Sequence, residues 1–447
     1  MPGSRHSDCG MKTLSVRLLT LALCGGCFLA AQTVDDTVAK QAIIFGRHTV
    51  RTPILPNNAL DFFAVQPYPD FGVSGNSAMT PSGAQNELTL GGYFRQWLIQ
   101  EGLLTGHDQA DANFVYVRAN NPPLILQTAQ QFVLGLLPGA TVPVDSYPAS
   151  DNDPLYNPVA AGVATLDYPT AVASVNGRLG GNPQWLATAY SAELTLLRSV
   201  LFNYSVSLTP PPPAPAGKID ATMEPISISA GNPTLPVTIK GLTDVVTAID
   251  PFVMEYADGL PMAKVGWGQL NAASISQINR LYDVLLDLEY RTPYLARVQS
   301  SNLASHITRS MVQAATGSSL GGALGNPSSK VIMVAASNIN IVGVASLFQL
   351  DWLASSYERD VSAPSGALVF ELRQSQSTGA YYVRASYITQ TMDQLRNQTP
   401  LTQTPPAVAP VFIPGCSISN ANFDCPFWTF VQLEQQVVDA QAIDLIN

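Results

Sequence analysis

Charge is in short supply in this chain. Lys, Arg, Asp and Glu make up 12% of its 447 residues, only six lysines are present, and the formal net charge is −10. An acidic chain so poor in lysine argues against nucleic acid or an anionic membrane as a partner. Beyond the first 31 residues no apolar run approaches the length that spans a bilayer. Cysteine is also sparse. Of five, three fall at Cys9, Cys24 and Cys27, leaving Cys416 and Cys425 nine positions apart near the other end. Neither has a histidine or further cysteine nearby, so no metal site is expected there. The 46% hydrophobic content argues for a well-buried globular chain rather than a disordered one.

The N-terminal stretch has the form of an export signal, with a start at Met11. Lys12 and Arg17 precede an apolar run over Leu18–Leu23, and small residues lead up to Gln32. Removal of residues 1–31 takes Arg5, Lys12, Arg17 and Asp8 with it. Basic residues then fall from 22 to 19 and acidic ones from 32 to 31, a net charge of −12. In an exported protein, periplasmic or extracellular, the remaining cysteine pair reads as a Cys416–Cys425 disulfide.

Against these absences stands one dense stretch, Gln41–Pro53. A short apolar run, Ala42-Ile43-Ile44-Phe45, ends at Gly46 and is followed at once by Arg47, His48, Arg51 and Pro53. Such a run, bounded by a turn signal, reads as a buried strand of a parallel sheet. In open α/β sheets ligands sit at the carboxyl ends of the strands. Two permanent cations beside an imidazole suit a phosphate there: guanidinium forks match its oxygens, and a neutral imidazole nitrogen attacks phosphorus.

The rest of the chain organises around that strand. Thr80-Pro81 opens a helix as N-cap and first helical residue. A second strand over Phe114–Val117 leads into a helix over Gln127–Leu136. From about Asp167 to Arg291 the pattern is predominantly helical, with helices expected over Pro183–Asn203, Leu242–Tyr256 and Ser274–Tyr290, interrupted by the stiff spacer Pro210–Pro213. A helix over Pro293–Ala315 follows, then a core strand Val331–Ala335 and two alternating strands, Leu368–Leu372 and Tyr381–Ser386.

These residues resemble the histidine acid phosphatase family, in its branch of bacterial periplasmic phytases and glucose-1-phosphatases. The resemblance rests on Arg47-His48-x-x-Arg51, Gly259-Leu260-Pro261, Val265-Gly266-Trp267-Gly268, Arg291-Thr292-Pro293 and the block Val331–Trp352, and it runs from about residue 40 to the C-terminus. It implies an α/β fold: a mostly parallel sheet sandwiched by helices, formed by 38–165 and 295–447, with an inserted, mainly helical domain over 166–294. It also implies that His48 takes the phosphoryl group and that Arg47 and Arg51 bind it, without a cofactor. Further positions depart from the family's pattern. Its third arginine falls on Leu124, and its His-Asp pair falls on Ser337-Asn338, so Asn338 stands where a general acid is expected. The usual glycine after the nucleophile is Thr49, which is tolerable where φ is negative.

Arg118, near the end of the second strand, is a candidate replacement for the missing arginine. His107-Asp108 reads as surface and His306 as structural. The expectation is therefore an exported protein that binds a phosphorylated or anionic small molecule, with hydrolysis weak or lost. The alternative is an active phosphomonoester hydrolase working through His48.

Overall fold

The structure, a computed structural model, describes residues 35–207 and 211–445; the expected signal segment and part of the Pro210–Pro213 spacer lie outside the described residues. Among the described residues ten strands are formed: β1 Thr37–Arg47, β2 Val115–Ala119, β3 Val144–Ser146, β4 Ser227–Ala230, β5 Val237–Lys240, β6 Val331–Ala336, β7 Ala367–Ser375, β8 Tyr381–Thr389, β9 Ala407–Val411 and β10 Cys425–Pro426. The helices of ten residues or more are α1 Pro81–Gln100, α2 Pro123–Leu136, α3 Tyr168–Arg178, α4 Ser191–Phe202, α5 Leu242–Ala257, α6 Ala272–Tyr290, α7 Pro293–Thr316, α8 Asn338–Leu347 and α9 Phe427–Val437.

Eight strands make one sheet in the order β10-β8-β7-β1-β6-β2-β3, with β9 also on β8. Strands β1, β6, β2 and β3 run parallel, whereas β7 runs antiparallel to β1 and β8 to β7. The sheet is therefore mixed, with the expected parallel arrangement in the half that carries the Arg47-His48 motif. Helices cover both of its faces, as the alternation along the central strands requires. Ile43 and Phe45 of β1, with Ile332 and Val334 of β6, point into a core shared with Leu303 and Ile307 of α7 and Phe430 of α9. Ala42, Ile44, Val331 and Met333 point the other way, against Phe94 of α1 and Phe132 of α2. Strands buried on both faces read as continuous apolar runs, and β1 and β6 do.

A third cluster joins α3, α4, α5 and α6 through Val175, Leu197, Ile249 and Ile278. Two expectations for this region are corrected. The helix expected over Pro183–Asn203 is broken at Tyr190 into Trp185–Ala189 and α4. The region also contains an antiparallel hairpin, β4 with β5. Its strands alternate over Ile226–Ala230 and Val237–Lys240 around Gly231-Asn232-Pro233, a hairpin pattern inside an otherwise helical stretch.

Candidate functional site

Three parallel strands stop level with one another. Arg47 ends β1 opposite Ala336 of β6, and Ala119 ends β2 opposite Ala335. The next residues continue the register: His48 N–H donates to the Ala336 carbonyl at 2.9 Å, and Asn120 N–H to the Ala335 carbonyl at 3.0 Å. The turn after β1 is fixed from three sides. Thr49 Oγ1 donates to the Gly83 carbonyl at 2.8 Å and accepts from Ser365 Oγ at 2.9 Å. Thr49 N–H donates to Thr128 Oγ1 of α2 at 3.3 Å. Thr49 is not among the residues with positive φ, so threonine replaces glycine there without backbone strain.

His48 is 6% exposed, and its Nδ1 lies 2.9 Å from the Thr49 carbonyl. A carbonyl only accepts, so Nδ1 carries the proton and Nε2 keeps its lone pair. Burial, reinforced by Arg47 and Arg51, pushes the His48 pKa well below 6.5. The imidazole is thus held neutral, in the tautomer that leaves the Nε2 lone pair unprotonated, while His48 itself is not among the residues lining the adjacent cavity.

The two arginines differ. Arg47 donates through Nη1 to the Ser362 carbonyl, while its buried Nε has no partner among the described residues. Arg51 forks onto Asp250 of α5, with Nη1–Oδ2 at 3.0 Å and Nη2–Oδ1 at 2.7 Å. Burial works to raise the Asp250 pKa, but Arg51 outweighs it and holds the carboxyl below its usual range. The charge of Arg51 is met inside the protein.

Arg47 lines a cavity of about 630 Å³, counted to its open mouth, together with Asn338, Tyr282 and Asp283. Asn338 Nδ2 donates to the Tyr282 hydroxyl at 2.7 Å, and Ser337 Oγ donates to Asn338 Oδ1 at 2.9 Å. Asp283 is half-buried, and its buried Oδ2 has no partner among the described residues. Burial first, then Glu358, pushes its pKa up to about 8, against the pull of Arg47 and Arg280. Asp250, Tyr282 and Asp283 escape a reading based on strand-end motifs because they come from helices. A signal for Asp283 does exist: Ser276, Asn279 and Asp283 form a polar stripe at i, i+3 and i+7 along α6, away from its apolar face.

The proposed replacement arginine is not at this site. Arg118 Nη2 donates to Asp153 at 2.6 Å and Nη1 to the Ala119 carbonyl at 2.6 Å, and Arg118 lines a separate cavity beside Tyr116, Asp145 and His306. The expectation that it binds phosphate here is corrected: a buried carboxylate 35 residues downstream captures the guanidinium. His306 is buried with Nε2 at 2.6 Å from the Asp444 carbonyl. His107 is exposed and Asp108 pairs with Arg95. Cys416 and Cys425 form a disulfide with Cα atoms 5.1 Å apart. No described helix is long and apolar enough to cross a membrane.

Comparison with known proteins places this geometry. Residues 39–190 match the model of the histidine phosphatase superfamily (branch 2). Along nearly the whole chain, it is 26% identical over 424 residues to the phytase AppA of Escherichia coli (strain K12), covering 90% of this chain and 93% of that protein. It is 25% identical over 422 residues to a glucose-1-phosphatase of Salmonella typhimurium, covering 92% and 97%. Among solved structures, the apo form of a Hafnia alvei phytase matches with a TM-score of 0.81 at 26% identity, over 92% of this chain and 99% of that one. Over its N-terminal third the chain is similar to the histidine phosphatase superfamily (branch 2), and along most of its length to bacterial phytases and glucose-1-phosphatases.

In this chain the strand ends beside His48 carry little polar reach. Leu124 sits in the first turn of α2, and its side chain does not line the cavity; it contributes its carbonyl, which accepts from Thr128 Oγ1 at 2.8 Å. Ser337 is the N-cap of α8, in a capping box with Asn340. Its hydroxyl is spent on the cap and on Asn338, and does not line the cavity.

Proposed function

We propose that this chain is an exported histidine phosphatase-family protein that binds a phosphorylated or anionic small molecule at the Arg47–His48 corner, with hydrolysis weak or lost. Two features support anion binding. Arg47 is the cation in the cavity lining, with Nη1 on the Ser362 carbonyl and Nε without a partner among the described residues, and the α8 N-terminus brings a positive dipole end to the same lining through Asn338. The Hafnia alvei phytase has been seen in complex with tartrate and with myo-inositol hexakis sulphate, both anions.

The observation that carries the loss of hydrolysis is Asn338. When Nε2 attacks phosphorus, the ester P–O bond breaks and the departing alkoxide needs a proton. An amide has none to give, and that of Asn338 already donates to Tyr282. General acid catalysis typically contributes about 10²–10⁴ in rate. Arg51, tied to Asp250, further reduces the charge available to the transferring group.

The second reading, an active phosphatase, draws support from His48 itself, whose neutral, oriented imidazole is the form a phosphohistidine mechanism uses. Release of nitrophenol from p-nitrophenyl phosphate by the mature protein across pH 3–8, beside a His48→Ala control, separates the two. Nitrophenol leaves without a proton, so this substrate gives the nucleophile its best chance. Turnover no greater than the control supports the binding protein; turnover that the control abolishes supports the phosphatase.

A further inference from the structure

Resting on that reading, we propose that the ligand of this site carries a single phosphate on an apolar, aryl-sized body, and that polyphosphorylated rings are excluded. The argument begins with the cavity wall. Beyond Arg47, the space is bounded by Val253, Ile275, Leu286, Val361, Met392 and the ring of Tyr357. Arg47 is its only basic residue among the described ones, and three carboxyl side chains, Asp250, Asp283 and Glu358, share the lining. One cation positions one phosphate. The apolar wall beside it gains from covering a hydrocarbon group, which a polyol would not supply, although Ser276, Asn279, Tyr282 and Asn338 share the lining.

The approach to the cavity carries the same sign. Asp283, Leu286 and Glu358 also line a wider cleft, about 1170 Å³ to its mouth, together with Glu193, Asp287 and Asp360. Three arginines lie there, and each is already paired: Arg280 with Glu193 at 3.1 Å, Arg291 with Asp351 at 3.3 Å, and Arg359 with Asp351 at 2.7 Å. A ring bearing several phosphates would bring its outer charges against this acidic surface with no unpaired cation to receive them. Like-charge juxtaposition of that kind excludes a ligand as firmly as a clash.

Calorimetric titration of the wild-type protein with three ligands that resist hydrolysis tests the proposal: benzylphosphonate, methylphosphonate and myo-inositol hexakissulphate. Benzylphosphonate is expected to bind at least tenfold tighter than either of the others, and inorganic phosphate is expected to displace it. Val361 is half-buried, so Val361→Ser preserves the fold and should narrow the gap between the benzyl and methyl ligands by weakening only the former. Hexakissulphate binding as tightly as benzylphosphonate overturns the proposal and leaves the anion-binding reading standing. Equal affinity for the benzyl and methyl ligands, or benzylphosphonate that phosphate does not displace, overturns it as well. Failure of all three ligands to bind removes the anion-binding reading with it.

Discussion

Asp283, on α6, is a half-buried carboxyl whose charged form is disfavoured by burial, Glu358 and Asp360 and favoured by Arg47 and Arg280. With its pKa at about 8, it keeps its proton across the neutral range, when an ordinary aspartate has lost it near 3.8. The folded state then holds a proton that the unfolded chain has released. Its contribution to stability is present below about pH 4 and is lost as pH rises toward 8. Asp283→Asn removes that dependence. The variant is expected to match wild type at pH 3.5 and to exceed it at pH 7 by about 1–4 kcal/mol, read from urea midpoints. Glu87, Glu255 and Glu289 are also raised to about 8 and impose the same trend on both proteins, so the difference between them isolates Asp283. A wild-type advantage at pH 7 would mean that Asp283 is ionised and paired in the folded protein.

The turn after β1 depends on a helix that begins thirty residues later. Thr80 caps α1 by accepting from Gly83 N–H at 3.0 Å, and Gly83 returns its carbonyl to Thr49. A Cβ on Gly83 would meet the Val50 carbonyl oxygen at 2.2 Å, inside the His48–Arg51 turn. Gly83→Ala therefore has to displace backbone, and the expected cost is about 1–3 kcal/mol together with loss of phosphonate binding; a variant that binds like wild type would show that the turn is not held by α1. Much of this element-level order was legible in the sequence. The strand β1, the Thr80 cap and the β6–α8 junction follow from apolar runs and capping residues close together in the chain. What escaped was set by tertiary contact. Asp250 and Asp283 gain meaning only when α5 and α6 fold over the strand ends, and Arg118 is claimed by Asp153 rather than by the site. The β4–β5 hairpin was hidden for a different reason, its two short alternating runs being outweighed by the helical periodicity around them.

At the scale of the whole molecule, the proposed anion site belongs to a chain of net negative charge. Its formal charge of −10 repels an anionic ligand at long range, while Arg47 attracts it only at the end of the approach. Salt screens the first effect more than the second, because the Debye length falls to about 10 Å at 0.1 M. The association rate of benzylphosphonate is therefore expected to hold steady or rise between 10 and 200 mM salt, measured by stopped flow. A steep fall would reveal a basic steering surface, as in proteins that attract polyanions.

The central claim, that recognition of phosphate survives while the means to release it is gone, is tested most directly by phosphorus NMR of glycerol 2-phosphate with the mature protein at pH 5. The account predicts a phosphomonoester signal broadened or shifted by binding, with inorganic phosphate appearing no faster than with His48→Ala. Rapid growth of the inorganic phosphate signal, abolished in His48→Ala, would contradict it and show that a proton reaches the leaving oxygen without Asn338.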